Sequence, residues 1–596
     1  NVAATIRGKD PSGGNPMQYL KRLYGLLPVV FLIACSTEEP GPDGAELILT
    51  NARVYTLDWN EPAGDGTPGR GAPYDDQGWR PNAEAIVVSG GEITFVGASA
   101  DALRYQGPAT RVVDLAGATV VPGLVDSHTH VFELGANLER VNLVDVHTEE
   151  EAVARVAERA KSVPKGEWIL GAGWDEGAWA NHYPDKALLS AAVPDHPVFL
   201  ASLHGFAGWA NQMALDEAGL SATTTVPAGG EMRLGVDGQP NGLFLNRAVP
   251  LLRNAIPEPS HDALIDNVLA GLNRMAKDGY VAVHDAGLES REMAVLEQLE
   301  AEDRLPVRVY AMLSLRDEEL MRKWIAKGPD SDNNSFLVTR TVKAYYDGAL
   351  GSRGARLLYD YSDAPGHRGV SGDEYGFNQA LNAEAMRKGF QIAIHAIGDA
   401  GNRESIDILE AVFKSDPATR RNRHRIEHAQ VMHPDDLTRL GKLGLIASME
   451  PPHAVEDMAW AEDRVGPERI LGAYAWRTLR QNGAALTFNS DNPGSDHDIF
   501  YGMHAAITRR DKNQQPEGGW HAEQSLSAEE TIRAYTNWSA YASFREDRTG
   551  IIEEGRWADL TVMDIDPFLL ATESPGDILQ GRILMTVVNG RIVFEL

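Results

Sequence analysis

V-V-P-G-L-V-D-S-H-T-H, residues 120–130, is the stretch that decides the fold of this chain. It is an apolar run, typical of a buried strand, that ends in His128 and His130. Side chains at positions i and i+2 of an extended segment lie on one face, so both imidazoles can reach one metal ion. A bare His-x-His pair is equally compatible with two unrelated surface histidines. The rest of the chain has to decide between these two interpretations.

Four further apolar runs carry a Lys, His or Asp inside them or at their ends. Each is short and rich in β-branched or aromatic residues, which is typical of a buried strand. Helical stretches such as 402–414 and 434–443 separate them, and strands that alternate with helices indicate a parallel sheet. The four runs are VKAY at 342–345, QIAIH at 391–395, HRIEH at 424–428 and LTFNSD at 486–491.

The number of candidate strands indicates an α/β fold, a (β/α)8 TIM barrel whose active site gathers residues from the ends of several strands. The first connection, residues 131–279, is too long for one βα unit and predicts a long insertion after strand 1. Short alternating runs in 46–118 and 546–596 predict hairpins that combine into one composite β-sandwich. The barrel is then expected to occupy residues 119–545. Its eight candidate strands lie near 120–126, 280–284, 307–313, 341–346, 391–395, 424–428, 446–449 and 486–490.

The ordered set of motifs resembles the amidohydrolase superfamily, specifically amidohydrolase family 3, which includes enzymes similar to N-substituted formamide deformylase. The resemblance runs from about residue 46 to 596 and depends on the order of the motifs, since no single one is decisive. The motifs are PGLVDSHTH at 122–130, KAYYDGALGSR at 343–353, IHAIGDAGN at 394–402, RIEHAQ at 425–430, ASMEPPHA at 447–454, NSDNPGSD at 489–496 and GIIEEGRWADLTVMDIDP at 550–567.

This resemblance implies a centre of two divalent metal ions, with zinc as the expected metal. Neutral imidazole and carboxylate oxygen suit zinc and its relatives. A lysine can join them only as a carbamate formed with CO2, and burial near metal charge lowers the lysine pKa, as that reaction requires. Taken singly, such residues are more often a snorkelling lysine, core histidines and a turn aspartate. The implied ligands are His128, His130 and Asp491 for the more buried ion, His395 and His428 for the second, and carboxylated Lys343 as the bridge.

Such a centre predicts a metal-dependent hydrolase that acts on a carbon–nitrogen bond other than a peptide bond. The expected partner is a small-molecule amide, N-acyl or N-formyl compound, attacked by a metal-activated hydroxide. Asp491 is expected to take the proton of the water and pass it to the leaving nitrogen. Two alternatives stay open. The same site could hydrolyse esters, lactones or phosphoesters, or the chain could be a non-catalytic binding lipoprotein, against which the complete ligand set argues.

Three residues are candidates for substrate contacts. His204 lies in L-H-G-F-A-G-W-A-N within the insertion and resembles a family motif whose histidine faces substrate. His453 follows the seventh strand and is expected at the same rim. For both histidines, a structural role fits the sequence equally well. Trp174 could form part of an apolar wall, although aromatic residues in a large protein are usually core. Two positions depart from the family pattern. Asn246 stands where relatives often have Glu, and Glu450 stands where Gln is common. Both departures are expected to affect the substrate pocket and to leave the metal site untouched.

The N-terminal segment predicts export and lipid anchoring. Residues 17–35 combine a basic start with a short apolar run that ends L-I-A-C, which resembles the lipobox of a bacterial lipoprotein signal peptide. Cys35 is the lone cysteine of the chain and is the expected lipidation site, with 36–45 as the tether. The protein would then be anchored to a membrane and face the periplasm or the cell exterior. The alternative is a buried free cysteine, and residues 1–16 are interpreted as non-native or upstream sequence.

The charge of the chain excludes one class of partner. Its formal net charge is −30, with 85 acidic against 55 basic residues. Nucleic-acid binding needs a basic surface to contact phosphates, so no nucleic-acid partner is expected. An acidic surface is usually a solubility feature and identifies no substrate. Self-association into a homo-oligomer stays open.

Overall fold

The computed structural model describes residues 44–144, 146–174, 183–202, 207–227, 230–246, 248–332 and 334–596. The predicted lipidation site Cys35 and the predicted substrate residue His204 lie outside these ranges. Within them, no helix is both long enough and apolar enough to span a bilayer.

Eight parallel strands form a nearly closed barrel at the centre of the fold. Each strand pairs with the strands before and after it in sequence, and the last approaches the first through a parallel bridge between Thr129 and Asn492. The TIM barrel predicted from the sequence is therefore confirmed. Barrel strands 1 to 8 are Leu124–Thr129, Tyr280–Leu288, Arg308–Ser314, Leu337–Tyr345, Gln391–Ala396, Arg425–His428, Ile446–Met449 and Ala485–Phe488.

Helices follow the barrel strands along the chain. The helix after strand 5 contains the predicted stretch 402–414, and the helix after strand 6 begins later than the predicted start at 434. The helix His261–Lys277, for example, buries Leu264, Val268, Leu272 and Met275 along one stripe, as helical periodicity requires. The helices are Val131–Leu138 and His261–Lys277 around the insertion, then Ser290–Ala301, Glu318–Lys327, Gln379–Arg387, Asp399–Ser415, Leu437–Leu443, Pro451–Asp457, Ala461–Arg469, Trp476–Gln481, Ile499–Thr508, Ala528–Ala534 and Asn537–Ala542.

The predicted first strand at 120–126 is in fact two strands in different sheets. Thr119–Pro122 belongs to a terminal sheet, and only Leu124–Thr129 belongs to the barrel. Gly123 joins them, and a Cβ at this position would overlap the side chain of Val281 in barrel strand 2. Glycine therefore allows the chain to pass closely from one sheet to the next. Both strands are fully buried, so their apolar pattern runs on without a sign of the boundary.

Two sheets built from both ends of the chain share one apolar core. Leu49 and Val88 of the first sheet belong to the same buried cluster as Val120 and Val562 of the second. The first sheet contains Glu92–Gly97, Ala85–Ser89, Leu47–Thr50 and Arg111–Asp114. The second contains Arg53–Val54, Thr119–Pro122, Leu560–Met563, Ile583–Val588 and Arg591–Glu595, with the helix Pro567–Glu573 between its strands.

The long connection after barrel strand 1 contains a sheet of its own. Its strands, in spatial order, are Val141–Asn142, Ile169–Trp174, Val198–Ser202, Ala207–Ala210, Pro240–Asn246 and Gly230–Leu234. In the described part of the insertion, the accompanying helices are Glu149–Ala160, Lys186–Ala192, Gln212–Glu217 and Val249–Arg253. The helices that flank the insertion pack tightly at Gly135 and Gly271, where an added Cβ would overlap the backbone of the opposite helix.

A buried ion pair links the barrel to the second terminal sheet. Arg308, at the start of barrel strand 3, donates hydrogen bonds of 2.8 and 3.3 Å to the two carboxylate oxygens of Asp559. The exposed fractions of the two side chains are 1% and 0%. Because both charges are removed from water, each depends on the other for its stabilisation.

Asp559→Ala is expected to lower the free energy of unfolding by about 3–5 kcal/mol, because it leaves the Arg308 charge buried without its partner. Denaturant titration followed by circular dichroism measures this. Arg591→Ala is the matched control, since it removes the exposed ion pair with Asp303 and should cost less than about 1 kcal/mol. Equal losses in the two variants would contradict the prediction.

Candidate metal centre

The register of the barrel strands brings the predicted ligands to one end of the barrel. Tyr345 of strand 4 is paired with His395 of strand 5, and Ala396 is paired with His428 of strand 6. Lys343 lies two residues before Tyr345 on the same face of strand 4. Side chains at the ends of parallel strands aligned in this way converge above the barrel, where TIM-barrel active sites lie.

His128, His130 and Asp491 form one compact group of potential ligand atoms. The Asp491 Oδ1 atom lies 3.4 Å from His128 Nε2 and 3.2 Å from His130 Nε2. All three ligand atoms lie within 4.8 Å of one another. Two imidazole nitrogens and one carboxylate oxygen are a donor set that suits zinc.

Lys343 lies beside this group. Its side chain is buried, and its Nζ atom is 2.8 Å from His128 Nε2. Burial lowers the pKa of the Lys343 ammonium, and the nearby negative charges of Glu427 and Asp491 oppose that shift without cancelling it. A lowered pKa favours the neutral amine, which is the form that can react with CO2.

His395 and His428 form the other side of the centre, with ring centroids 4.3 Å apart. The Nε2 atom of His395 is buried and has no hydrogen-bond partner in the described part of the chain. The carboxylate oxygen Asp347 Oδ1 lies 3.6 Å from it. Since a buried polar atom without a partner costs free energy, this nitrogen is a fitting position for a metal or a bound molecule.

The backbone is strained at two of the candidate ligands. His428 has φ 70° and Asp491 has φ 50°, both in the left-handed region that residues other than glycine seldom adopt. Such strain clusters at functional sites, where the surrounding structure holds it in place. Here the peptide N–H of Asp491 donates a 2.9 Å hydrogen bond to the carbonyl of His128, which ties the end of strand 8 to strand 1.

Charge and burial set the protonation states of three candidate ligands, His128, His395 and Asp491. Burial, with the charge of Lys343, lowers the pKa of His128 to about 4. Burial also holds the pKa of His395 well below its usual value. Burial alone would raise the pKa of Asp491, but the nearby histidines outweigh it and keep that pKa well below normal. At neutral pH these groups are therefore neutral imidazoles and an ionised carboxylate, the forms that bind metals.

The structure places the predicted substrate residues differently from one another. It brings His453 beside the centre, with its ring stacked at 6.1 Å on that of His428 and its Nδ1 atom 3.3 Å from Glu450. The side-chain atoms of His428, Glu450 and His453 form a second group that could hold a cation. Trp174 lies fully buried in the core of the insertion sheet, where its indole N–H donates to the carbonyl of Leu200 at 3.0 Å.

The sequence interpretation missed several buried polar residues behind the ligands. Arg425 and Glu427 are both fully buried in barrel strand 6. Asp347 accepts backbone hydrogen bonds at the start of the helix after strand 5, and Asp285 accepts one from Val131 at 3.1 Å. The run R-I-E-H could have revealed Arg425 and Glu427. Charged residues at positions i and i+2 of a buried strand lie on one face, which must then be polar.

An eight-stranded parallel barrel with imidazoles, a carboxylate and a buried lysine at its strand ends has the architecture of a metal-dependent hydrolase. Residues 111–594 match the amidohydrolase family, and the chain belongs to that family. The resemblance predicted from the ordered motifs is confirmed.

Similar proteins cover most of this chain. The Bacillus subtilis protein named "Putative amidohydrolase YtcJ" is 30% identical over 86% of this chain and 96% of its own length. N-substituted formamide deformylase of Arthrobacter pascens is 26% identical over 86% of this chain and 95% of its own. The crystal structure of an uncharacterized metal-dependent hydrolase from Pyrococcus furiosus has a TM-score of 0.69 and 27% identity, covering 88% of this chain and 99% of its own.

Proposed function

We propose that this protein hydrolyses an amide, N-acyl or N-formyl carbon–nitrogen bond of a small molecule with the help of two divalent metal ions, zinc being the expected metal. The observation that carries the proposal is the convergence of four histidines, Asp491 and the buried Lys343 at one end of the barrel. The similarity to N-substituted formamide deformylase supports an amide-type bond.

The donor set fits two ions bridged by a carboxylated lysine. The neutral Nζ of Lys343 would add to CO2 with loss of one proton, which gives a carbamate with two oxygens and one negative charge. His128, His130 and Asp491 would hold one ion, and His395 and His428 the other. The bound metals would polarise the carbonyl group and lower the pKa of water.

Asp491 is the proposed proton carrier. Its low pKa keeps it ionised at neutral pH, and its side chain retains an exposed fraction of 19%. It can therefore take a proton from the attacking water and deliver it to the leaving nitrogen, as a general base and then a general acid. An amine is a poor leaving group unless it is protonated, so this second step matters more for amides than for esters.

A matched substrate panel tests the bond type. The purified protein would be assayed with N-formyl amines, N-acyl amines and N-acyl amino acids, each beside the ester with the same acyl group. We expect amide turnover that is lost after chelation and restored by zinc. Turnover of the esters alone would favour the alternative hydrolase. Bound metal with no turnover would favour a binding protein.

We also propose that the protein is exported and anchored by lipid at Cys35, on the support of the L-I-A-C sequence at 32–35. Expressed in a bacterial host, the full chain is expected to fractionate with membranes, because acylation adds long apolar chains. Cys35→Ala should move it to the soluble fraction and leave its specific activity unchanged. Membrane association of this variant would contradict the proposal.

A further inference from the structure

We propose that Glu427 is a positioning residue for the metal centre, whose carboxylate fixes the imidazole of His128 so that its Nε2 atom faces the metal. The inference rests on the proposed function, because it requires His128 to be a metal ligand. Nothing in the ligand motifs assigns this role to Glu427.

The contact between the two side chains determines which nitrogen carries the proton. Glu427 Oε2 lies 2.6 Å from His128 Nδ1, and both side chains are fully buried. The Arg425 guanidinium donates to both oxygens of this carboxylate, at 2.7 and 3.1 Å, so Glu427 is held as an ion pair with a buried cation. An ionised carboxylate can only accept, so Nδ1 must donate. The lone pair of His128 is then on Nε2.

The Nε2 atom points at the remaining ligands. It lies 2.8 Å from the Nζ of Lys343 and 3.4 Å from Oδ1 of Asp491. A histidine ligand whose other ring nitrogen donates to a carboxylate is fixed in tautomer and orientation, and it becomes a stronger donor to the metal. The 2.6 Å contact between Glu427 Oε2 and His128 Nδ1 meets the first of these conditions.

Arg425 keeps Glu427 in this position. Its Nε donates to Glu427 Oε1 at 2.7 Å, and its Nη2 donates to Oε2 at 3.1 Å. The guanidinium also contacts the carbonyl of Ser127 at 2.6 Å, the hydroxyl of Ser448 at 2.9 Å and the ring of His284 at 3.0 Å. These partners lie on barrel strands 1, 7 and 2, so the arginine is held by the barrel itself. Glu427 is therefore ionised and kept in place behind His128.

The two histidines of the opening motif consequently differ. His128 is fully buried and has a carboxylate on each side, Glu427 at Nδ1 and Asp491 near Nε2. The side chain of His130 is 27% exposed, and within the described ranges its carboxylate contact is Asp491, at Nε2. Loss of Glu427 should therefore act on metal affinity through His128 alone.

Zinc affinity of the full-length protein tests the inference. Dissociation constants would be measured by competition with a chromophoric chelator, beside thermal unfolding of each variant. Glu427→Gln is expected to weaken zinc binding roughly 10- to 100-fold. Glu427→Asp keeps the charge opposite Arg425 but shortens the reach to His128, so it should also weaken binding. Ser448→Ala is the matched control, because it removes a contact of Arg425 and leaves the contact between Glu427 and His128.

Each result separates the possible explanations. Wild-type zinc affinity in both Glu427 variants would overturn the inference, as would an equal loss of affinity in Ser448→Ala, which would indicate general disturbance of the network. If Glu427→Gln fails to fold, Glu427→Asp carries the same comparison with Ser448→Ala. A wild-type chain that binds no zinc would overturn the proposed function, and this inference with it.

Discussion

Asp491→Asn is expected to lower kcat about 10³-fold while leaving the fold unchanged. The amide has the shape of the carboxylate but cannot accept the proton of water at neutral pH, and it is a weaker metal ligand. Asn also tolerates the left-handed backbone that Asp491 adopts at φ 50°, so the substitution adds no backbone strain. Steady-state kinetics at saturating zinc, with circular dichroism for the fold, would measure the effect.

Asp496→Asn is the control for this variant. Asp496 lies in the same loop and pairs with Lys512 at the surface, so its loss should change kcat by less than about twofold, in keeping with the small energies of surface ion pairs. Full activity of Asp491→Asn would remove Asp491 from the proposed proton transfer. A similar loss in both variants would assign the effect to the loop.

The barrel could be predicted from the sequence because its strands are short, buried and well separated by helices. The apolar runs around Val342, Ile394 and Ile426 each correspond to a strand, and each strand lies in the predicted order. Parallel strands end together, so ligand-type residues at the ends of such runs are brought to one place by the fold itself. The residues of the candidate centre follow from that rule.

Other features depend on contacts between distant parts of the chain and leave little trace in the local pattern. The boundary at Gly123 is set by Val281 in another strand. Trp174 is an aromatic residue whose burial depends on a sheet within the insertion, which has no counterpart in the barrel pattern. Arg425 and Glu427 could have been noticed as charges in a buried strand, but their partner His128 is 299 residues from Glu427 in sequence.

Holding the candidate ligands in place costs free energy, which the rest of the fold must offset. Left-handed backbone at His428 and Asp491 costs roughly 1–3 kcal/mol each. Burial of Lys343, Glu427 and Arg425 adds desolvation, which their hydrogen bonds offset and a bound metal would offset further. The eight-stranded barrel supplies this through its hydrogen-bonded strands and large apolar core. Metal removal is therefore expected to destabilise the protein as well as inactivate it.

If Lys343 is the proposed bridging ligand, Lys343→Ala is expected to lower kcat/KM by about 10³-fold or more, because several kcal/mol of transition-state stabilisation would be lost with it. Elemental analysis should show fewer metal ions per chain than in the wild type. Lys343→Met is the companion variant, since it keeps most of the volume of the buried side chain and removes only the amine. Equal losses of activity in the two variants would assign the effect to the missing amine and not to the cavity left by the shorter side chain.

Carbon dioxide distinguishes a carboxylated Lys343 from a lysine that acts as a plain cation. Metal-free wild-type protein given zinc in buffer depleted of CO2 should regain little activity, and added bicarbonate should restore it, because the carbamate forms only from the neutral amine and CO2. In Lys343→Ala, a short carboxylic acid such as acetate can occupy the vacated space and supply the missing oxygens. If zinc alone restores full activity without bicarbonate, and acetate does not raise the activity of Lys343→Ala, the proposed bridge is contradicted.

Lys343 is buried, with its Nζ atom 2.8 Å from His128 Nε2, so a permanently charged ammonium there would compete with any metal bound to that nitrogen. Burial lowers the pKa of Lys343, which favours the neutral amine that the proposed carbamate requires.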